Sequence, residues 1–170
     1  MKHLITGGAR SGKSRYAEHC ATDSGKKLVY LATAQAKDEE MAARISLHKS
    51  QRGTHWSLVE EPLQIAQQLA KFSNPECCIV VDCLTLWLNN CLESDCWSEE
   101  KSKLIDILRA SQADIILVGN EVGSGVVPLG ALTRTFVDEN GWLHQDIAKV
   151  CSHVTTVIAG LPLVLKEPVC

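Results

Sequence analysis

Near the start of the chain, HLITGGARSGKSRYAEHC restricts the possible folds more than any other stretch. A short apolar run, Lys2 to Thr6, reads as a strand, and Lys13 to Thr22 reads as a helix. Between them lie Gly7, Gly8, Ala9, Arg10, Ser11, Gly12, Lys13 and Ser14, which satisfy G-x-x-x-x-G-K-[ST]. The glycines let backbone amides fold around phosphate oxygens, Lys13 neutralises charge, and the Ser14 hydroxyl suits a magnesium ion. The helix adds the partial positive charge of its N-terminus. A chance glycine-rich turn is the alternative, and the strand before and helix after count against it. The expected ligand is a nucleoside triphosphate. The motif alone does not separate a kinase from an ATPase, a GTPase switch or a nucleotidyltransferase.

Beyond the loop, apolar and β-branched runs recur as HLIT, LVYLAT, CCIVVD, DIILVG and VTTVIA. Helical patterns separate them, in EEMAARISLHKS, PLQIAQQLAKF, SEEKSKLIDILRA and NGWLHQDIAKVC. Such alternation implies a mainly parallel sheet with helices on both faces, and short, continuously apolar strands suit a sheet covered on both sides. The expected fold is α/β and P-loop NTPase-like, with residues 1–170 forming a single domain. A net charge of −3 and the lack of any basic run argue against a general nucleic-acid or anionic-membrane binder. No apolar stretch is long enough to span a bilayer, and too few residues precede the glycines for a signal sequence. The eight cysteines contain no C-x-x-C pair, so they read as buried free thiols rather than a metal site. Both points make the expected location cytoplasmic.

Functional residues in such a fold gather at the carboxyl ends of strands. The candidates there are Thr33, Ala34 and Gln35, then Asp82, then Asn120 and Glu121. CCIVVDC is an apolar strand ending in an acid, the form that pairs with an upstream phosphate loop, so Asp82 is expected to hold magnesium directly or through water. The competing reading makes Asp82 the cap of the following helix, LTLWLNN. After DIILVG the chain reads Asn-Glu-Val-Gly, not the Asn-Lys-x-Asp with which a GTPase switch reads guanine. Glu121 has two open readings there, orienting a substrate or metal, or sitting as a solvated loop acid.

In KDEEMAARISLHKSQRGTHW, Asp38 is an N-cap, Glu39 and Glu40 suit the first turn, and Gly53 ends the pattern. At about 100° per residue, Met41, Arg44, Ile45 and His48 share a face, which Arg52 rejoins if the helix continues. Two guanidiniums beside His48 favour a bound polyphosphate and oppose protonation of the imidazole. A neutral imidazole nitrogen is a nucleophile able to form a covalent bond to phosphorus. The pattern also fits a packed or solvated histidine, and His55 beside Trp56 is a rival position.

Taken in order, LITGGARSGKSRYAE, DEEMAARISLHKSQRGTHW, VVDCLTLWLNN, GNEVGSGVVP and VIAGLPLVLK resemble the bifunctional adenosylcobinamide kinase/adenosylcobinamide-phosphate guanylyltransferase family of cobalamin biosynthesis. The resemblance runs nearly end to end, and its specificity lies in the set, above all R-I-x-x-H followed by R-G-x-x-W. It implies that a nucleoside triphosphate, ATP or GTP, phosphorylates adenosylcobinamide. GTP then guanylylates a histidine, and adenosylcobinamide phosphate takes up the GMP. On this resemblance His48 is the guanylylated residue and Lys13 serves both steps. Gly7 to Ser14, Thr33 to Gln35, Lys49, Ser50, Gln51, Arg52, Glu60 and Asp82 match nucleotide-contacting or metal-site positions. The resemblance also implies a homotrimer and Mg2+. This chain departs from the family's pattern at Leu129-Gly130, where relatives carry an acid, and at His144-Gln145, where they read Asn-Gln. The rival readings are a non-catalytic GTP-binding regulator and a small-molecule kinase without guanylyl transfer.

Overall fold

The computed structural model describes residues 1–35, 55–126 and 128–168. The helix read from Asp38 to Arg52, with His48, Lys49, Ser50, Gln51 and Arg52, lies outside the described residues, as does Cys170. In chain order the elements are β1 (Lys2–Gly7), α1 (Lys13–Asp23), β2 (Lys27–Ala32), β3 (Trp56–Glu60), α2 (Ile65–Lys71) and β4 (Cys77–Asp82). They continue with α3 (Leu84–Glu93), α4 (Trp97–Ala110), β5 (Asp114–Asn120), α5 (Ala131–Val150), β6 (His153–Ile158) and β7 (Leu161–Lys166).

The strands form one seven-stranded sheet in the order β3-β2-β4-β5-β1-β6-β7. All neighbours are parallel except β6 and β7, which form an antiparallel hairpin. Period-two alternation sends neighbouring residues of each strand to opposite faces. Leu4, Leu31, Ile79, Val81, Ile115 and Leu117 pack beneath α2 to α5. Ile5, Tyr30, Val80, Ile116 and Val118 pack against Ala17 and Ala21 of α1. Both sets are buried, which is why the central strands read as unbroken apolar runs. On the first face Trp87 is fully buried and meets Trp97 edge-on at 5.3 Å.

The expected five strands and the helices within the described residues are present. β3 and β7 are two strands beyond those five. β3 is an edge strand whose residues are half-buried or exposed, and β7 is exposed throughout. Neither carries the buried apolar run of a central strand, and Pro162 is tolerated in β7 because an edge strand need not donate every N–H. α5 starts at Ala131 rather than at Asn140, because Gly141 sits inside the helix instead of marking its start. Cys20, Cys77, Cys78, Cys83, Cys91, Cys96 and Cys151 are free thiols, five of them buried. Among the described residues no cluster of His, Cys, Asp or Glu is gathered to hold a metal, and no helix is long and apolar enough to cross a membrane.

Candidate functional site

Parallel register brings the carboxyl ends of five strands to one edge of the sheet. Glu60 pairs with Ala32, Ala32 with Asp82, Asp82 with Val118, and Asn120 with Gly7. The sequence candidates on β1, β2, β3, β4 and β5 therefore line one edge, with the phosphate loop rising from β1.

The loop is tightly built. Gly12, at φ +96°, turns the chain into α1 in a conformation that residues with side chains rarely adopt. At Gly7 a β-carbon would stand 2.5 Å from the carbonyl oxygen of Val157 and 2.6 Å from Ser11 Oγ, so no larger residue fits. The Gly160 N–H, at the β6–β7 turn, donates to the Ser11 carbonyl at 2.9 Å and braces the loop from outside. Lys13 is buried, and its Nζ donates to the Gly8 carbonyl at 3.0 Å, arching over the loop. Ser11 Oγ is buried with no hydrogen-bond partner. A buried hydroxyl without a partner is costly, and this one lies within a loop of the kind that cradles phosphate. Arg10 is exposed at φ +56°, Ala9 and Gly8 are exposed, and Ser14 is half-buried at the start of α1.

Asp82 ends β4 half-buried. Its Oδ2 accepts from the Tyr30 hydroxyl at 2.7 Å, and its carbonyl accepts from the Thr33 N–H at 3.1 Å. Capping of α3 falls to Cys83, whose Sγ accepts from the Leu86 N–H at 3.5 Å, so Asp82 is released from that alternative role. Burial, then the charge of Asp82, pushes the Cys83 thiol up to about 12; Lys13 is near enough to oppose this.

Thr33 is fully buried, and its Oγ1 donates to the Cys83 carbonyl at 2.8 Å and accepts from the Cys83 N–H at 2.9 Å. Its hydroxyl is engaged with β4, so Thr33 fixes the Asp82–Cys83 backbone, and Gln35 is the exposed member of its segment. Glu60 is exposed at the end of β3, and His55 is exposed just before that strand.

Glu121 has a definite place. Its Oε1 accepts from the Gly123 N–H at 2.7 Å and its Oε2 from the Ser124 N–H at 3.2 Å, closing its own turn. Hydrogen bonds from Ser124 first, opposed by burial, and from Gly123 hold its carboxyl below the usual range. Its N–H donates to the Gly7 carbonyl at 3.0 Å. Behind it, the His144 ring lies over Gly119, with a buried Nε2 that has no partner; burial lowers its pKa, and Glu121 opposes this.

Residues 3–165 match the sequence model of the family described as cobinamide kinase / cobinamide phosphate guanyltransferase. The chain belongs to that family. It is 51% identical to the bifunctional adenosylcobalamin biosynthesis protein CobP of Pseudomonas aeruginosa, covering 99% of each chain. It is 36% identical to the bifunctional adenosylcobalamin biosynthesis protein CobU of Escherichia coli K12, covering 98% of this chain and all of the relative. Solved structures share the fold at low identity. The RadB recombinase gives a TM-score of 0.52 at 14% identity, over 91% of this chain and 73% of its own. A KaiC-like protein of Pyrococcus horikoshii gives 0.53 at 14%, over 98% and 78%. These likenesses establish the P-loop NTPase architecture expected from the loop and the strand alternation.

Four residues at this edge of the family fold escaped sequence reasoning: Tyr30, Thr85, Asn90 and Asn140. Tyr30, Thr85 and Asn90 sit in segments that read as core, Asn140 at the expected start of a helix, and each hydrogen-bonds at the end of a strand that carries candidate residues. Asn90 Nδ2 donates to the carbonyls of Thr33 at 3.0 Å and Pro62 at 3.1 Å. The available signal was a polar residue inside an apolar stripe, as with Asn90 in LTLWLNN.

Proposed function

We propose that this chain phosphorylates the aminopropanol hydroxyl of adenosylcobinamide with ATP or GTP, then transfers GMP from GTP to the product, giving adenosylcobinamide-GDP. The match of residues 3–165 to the kinase/guanyltransferase family carries this reading. The intact phosphate loop, with buried Lys13 and the unpartnered Ser11 hydroxyl, supports it.

In the kinase step the substrate hydroxyl oxygen attacks the γ-phosphorus, loses its proton, and displaces the nucleoside diphosphate. In the second step an imidazole nitrogen of His48 attacks the α-phosphorus of GTP; a P–N bond forms, the α–β P–O bond breaks, and pyrophosphate leaves. A phosphate oxygen of adenosylcobinamide phosphate then attacks the same phosphorus, and the P–N bond breaks to restore His48. Lys13 and the amides from Gly7 to Ser14 offset charge on the phosphates in both steps. Thr33, Ala34, Gln35, Lys49, Ser50, Gln51, Arg52 and Glu60 frame the nucleotide, Thr33 through the backbone that it fixes.

Ser14 and Asp82 offer a hydroxyl and a carboxylate, the few hard oxygen donors that suit Mg2+ alongside nucleotide phosphates and water. When bound there the ion adds positive charge beside the triphosphate. We carry over the homotrimer that the family resemblance implies; exposed Leu129, Leu132, Leu161, Leu163 and Leu165 are apolar side chains that assembly would cover. Its place is the cytoplasm, where free thiols persist.

Incubation with α-labelled GTP and magnesium tests the assignment. Acid-labile, alkali-stable label is expected on the protein and is expected to vanish in His48→Asn. Label that persists in that variant refutes the role given to His48. Absence of label in the unsubstituted chain refutes guanylyl transfer.

A further inference from the structure

Where β5 ends, both peptide groups of Asn120 are captured by buried side chains from two different helices. The Asn120 N–H donates to Thr85 Oγ1 of α3 at 2.8 Å. Thr85 Oγ1 donates to Asn140 Oδ1 of α5 at 3.4 Å, and Asn140 Nδ2 donates back to the Asn120 carbonyl at 3.1 Å. The ring is closed, and Thr85 and Asn140 are both buried, next to fully buried Leu84 and Leu143. Apolar side chains would fill such a space at less risk, because a polar group in this setting is costly unless every partner is in place. What the polar ring adds is direction, since hydrogen bonds fix a peptide plane where apolar contacts only fill volume.

The fixed plane leads straight to the phosphate loop. Asn120 pairs in register with Gly7, and the next N–H, that of Glu121, donates to the Gly7 carbonyl. On its other side Gly7 has no room for a side chain, since a β-carbon would meet the Val157 carbonyl oxygen and Ser11 Oγ. We infer that Thr85 and Asn140 are positioning residues for triphosphate binding: by holding Asn120 they set the Glu121–Gly7 contact, and through it the entry of the phosphate loop. The inference rests on the reading that the loop binds a triphosphate. Neither side chain touches the nucleotide.

Thr85→Val keeps the shape and removes the hydroxyl, while Thr85→Ser restores it. The measurements are the dissociation constant of a fluorescent GTP analogue, well below each variant's unfolding temperature, and the hydrogen exchange of the Glu121 amide. Thr85→Val loses the acceptor for the Asn120 N–H and the donor to Asn140 Oδ1, which predicts binding weaker by about tenfold or more and exchange faster by about tenfold or more, with Thr85→Ser close to the parent. If Thr85→Val fails to fold, Asn140→Leu keeps the branched shape without adding a charge, removes the donor to the Asn120 carbonyl and the acceptor for Thr85, and is read the same way. A variant that is less stable yet binds the analogue and protects Glu121 like the parent overturns the inference and leaves a merely structural ring. Failure of the unsubstituted protein to bind the analogue overturns the triphosphate reading itself, and the inference with it.

Discussion

Replacing Thr33 by valine isolates a single hydroxyl at the point where β2 and β4 end. Valine keeps the branched shape of this fully buried residue and removes both hydrogen bonds to Cys83, one donated at 2.8 Å and one accepted at 2.9 Å. The two losses are unequal. The Cys83 carbonyl retains the N–H of Trp87 at 3.1 Å, whereas the Cys83 N–H loses its acceptor in a buried position. An orphaned buried donor costs about 1–3 kcal/mol, so Thr33→Val is expected to lower the unfolding free energy by about 2 kcal/mol. Thr33→Ser keeps both bonds and gives up one buried methyl, which costs about 0.8 kcal/mol. Urea unfolding of the three proteins at pH 7 orders them as threonine, serine, valine. A serine variant less stable than the valine variant would refute the reasoning, because methyl packing and not the hydroxyl would then hold the strand ends together.

Tyr30→Phe removes the hydroxyl that donates to Asp82 Oδ2 but keeps the ring, which meets Trp56 edge-on at 5.9 Å. Loss of a group that orients the carboxylate proposed for the metal predicts about tenfold weaker binding of Mn2+, used as a spectroscopic probe, in the presence of nucleotide; unchanged Mn2+ affinity would exclude Tyr30 as a group that orients a metal ligand. His3 is buried, with Nε2 against Thr155 Oγ1 at 2.8 Å, and burial, followed by the charge of His153, pushes its pKa down to about 4. The unfolded chain protonates this histidine near 6.5, so between about pH 6.5 and 4 the unfolded state binds more protons and stability falls as pH falls. His3→Gln is expected to flatten that limb in urea titrations at pH 7 and pH 5, and an identical pH slope in parent and variant would exclude His3 as its source.

The features readable in advance were those with a local physical signature. The phosphate loop declared itself because glycine, lysine and serine at fixed spacing serve one purpose, and the central strands because burial on both faces demands unbroken apolar residues. Asp82 was legible as an acid ending such a strand. β7 was not, since an exposed edge strand has no burial to impose a pattern and LPLVLK alone does not say which side is covered. Glu121 was ambiguous for another reason: whether a loop carboxylate faces a ligand or its own backbone depends on the turn it closes, a matter of a few dihedral angles that composition does not encode. The roles of Thr85, Asn90 and Asn140 were not legible, even where a polar residue in an apolar stripe marked the position, because their partners lie far away in the chain. The Asn140–Asn120 and Asn90–Thr33 contacts exist only once the sheet has brought the strands side by side.

Those distant contacts converge on α3, a helix to which no chemistry has been assigned. It begins directly after Asp82, and its N-cap Cys83 is gripped by Thr33 from β2. Its Thr85 holds the end of β5, its Asn90 holds the carbonyls of Thr33 and Pro62, and its Trp87 Nε1 donates to the Leu63 carbonyl at 2.7 Å. One buried helix therefore sets the exits of β2, β4 and β5 and the segment that follows β3. A bare parallel sheet would leave those exits to independent loops, each free to drift with its own solvent-exposed hydrogen bonds. Tying them to a common rigid element makes their relative positions a property of packing, the condition under which groups from separate strands keep a fixed geometry around one triphosphate.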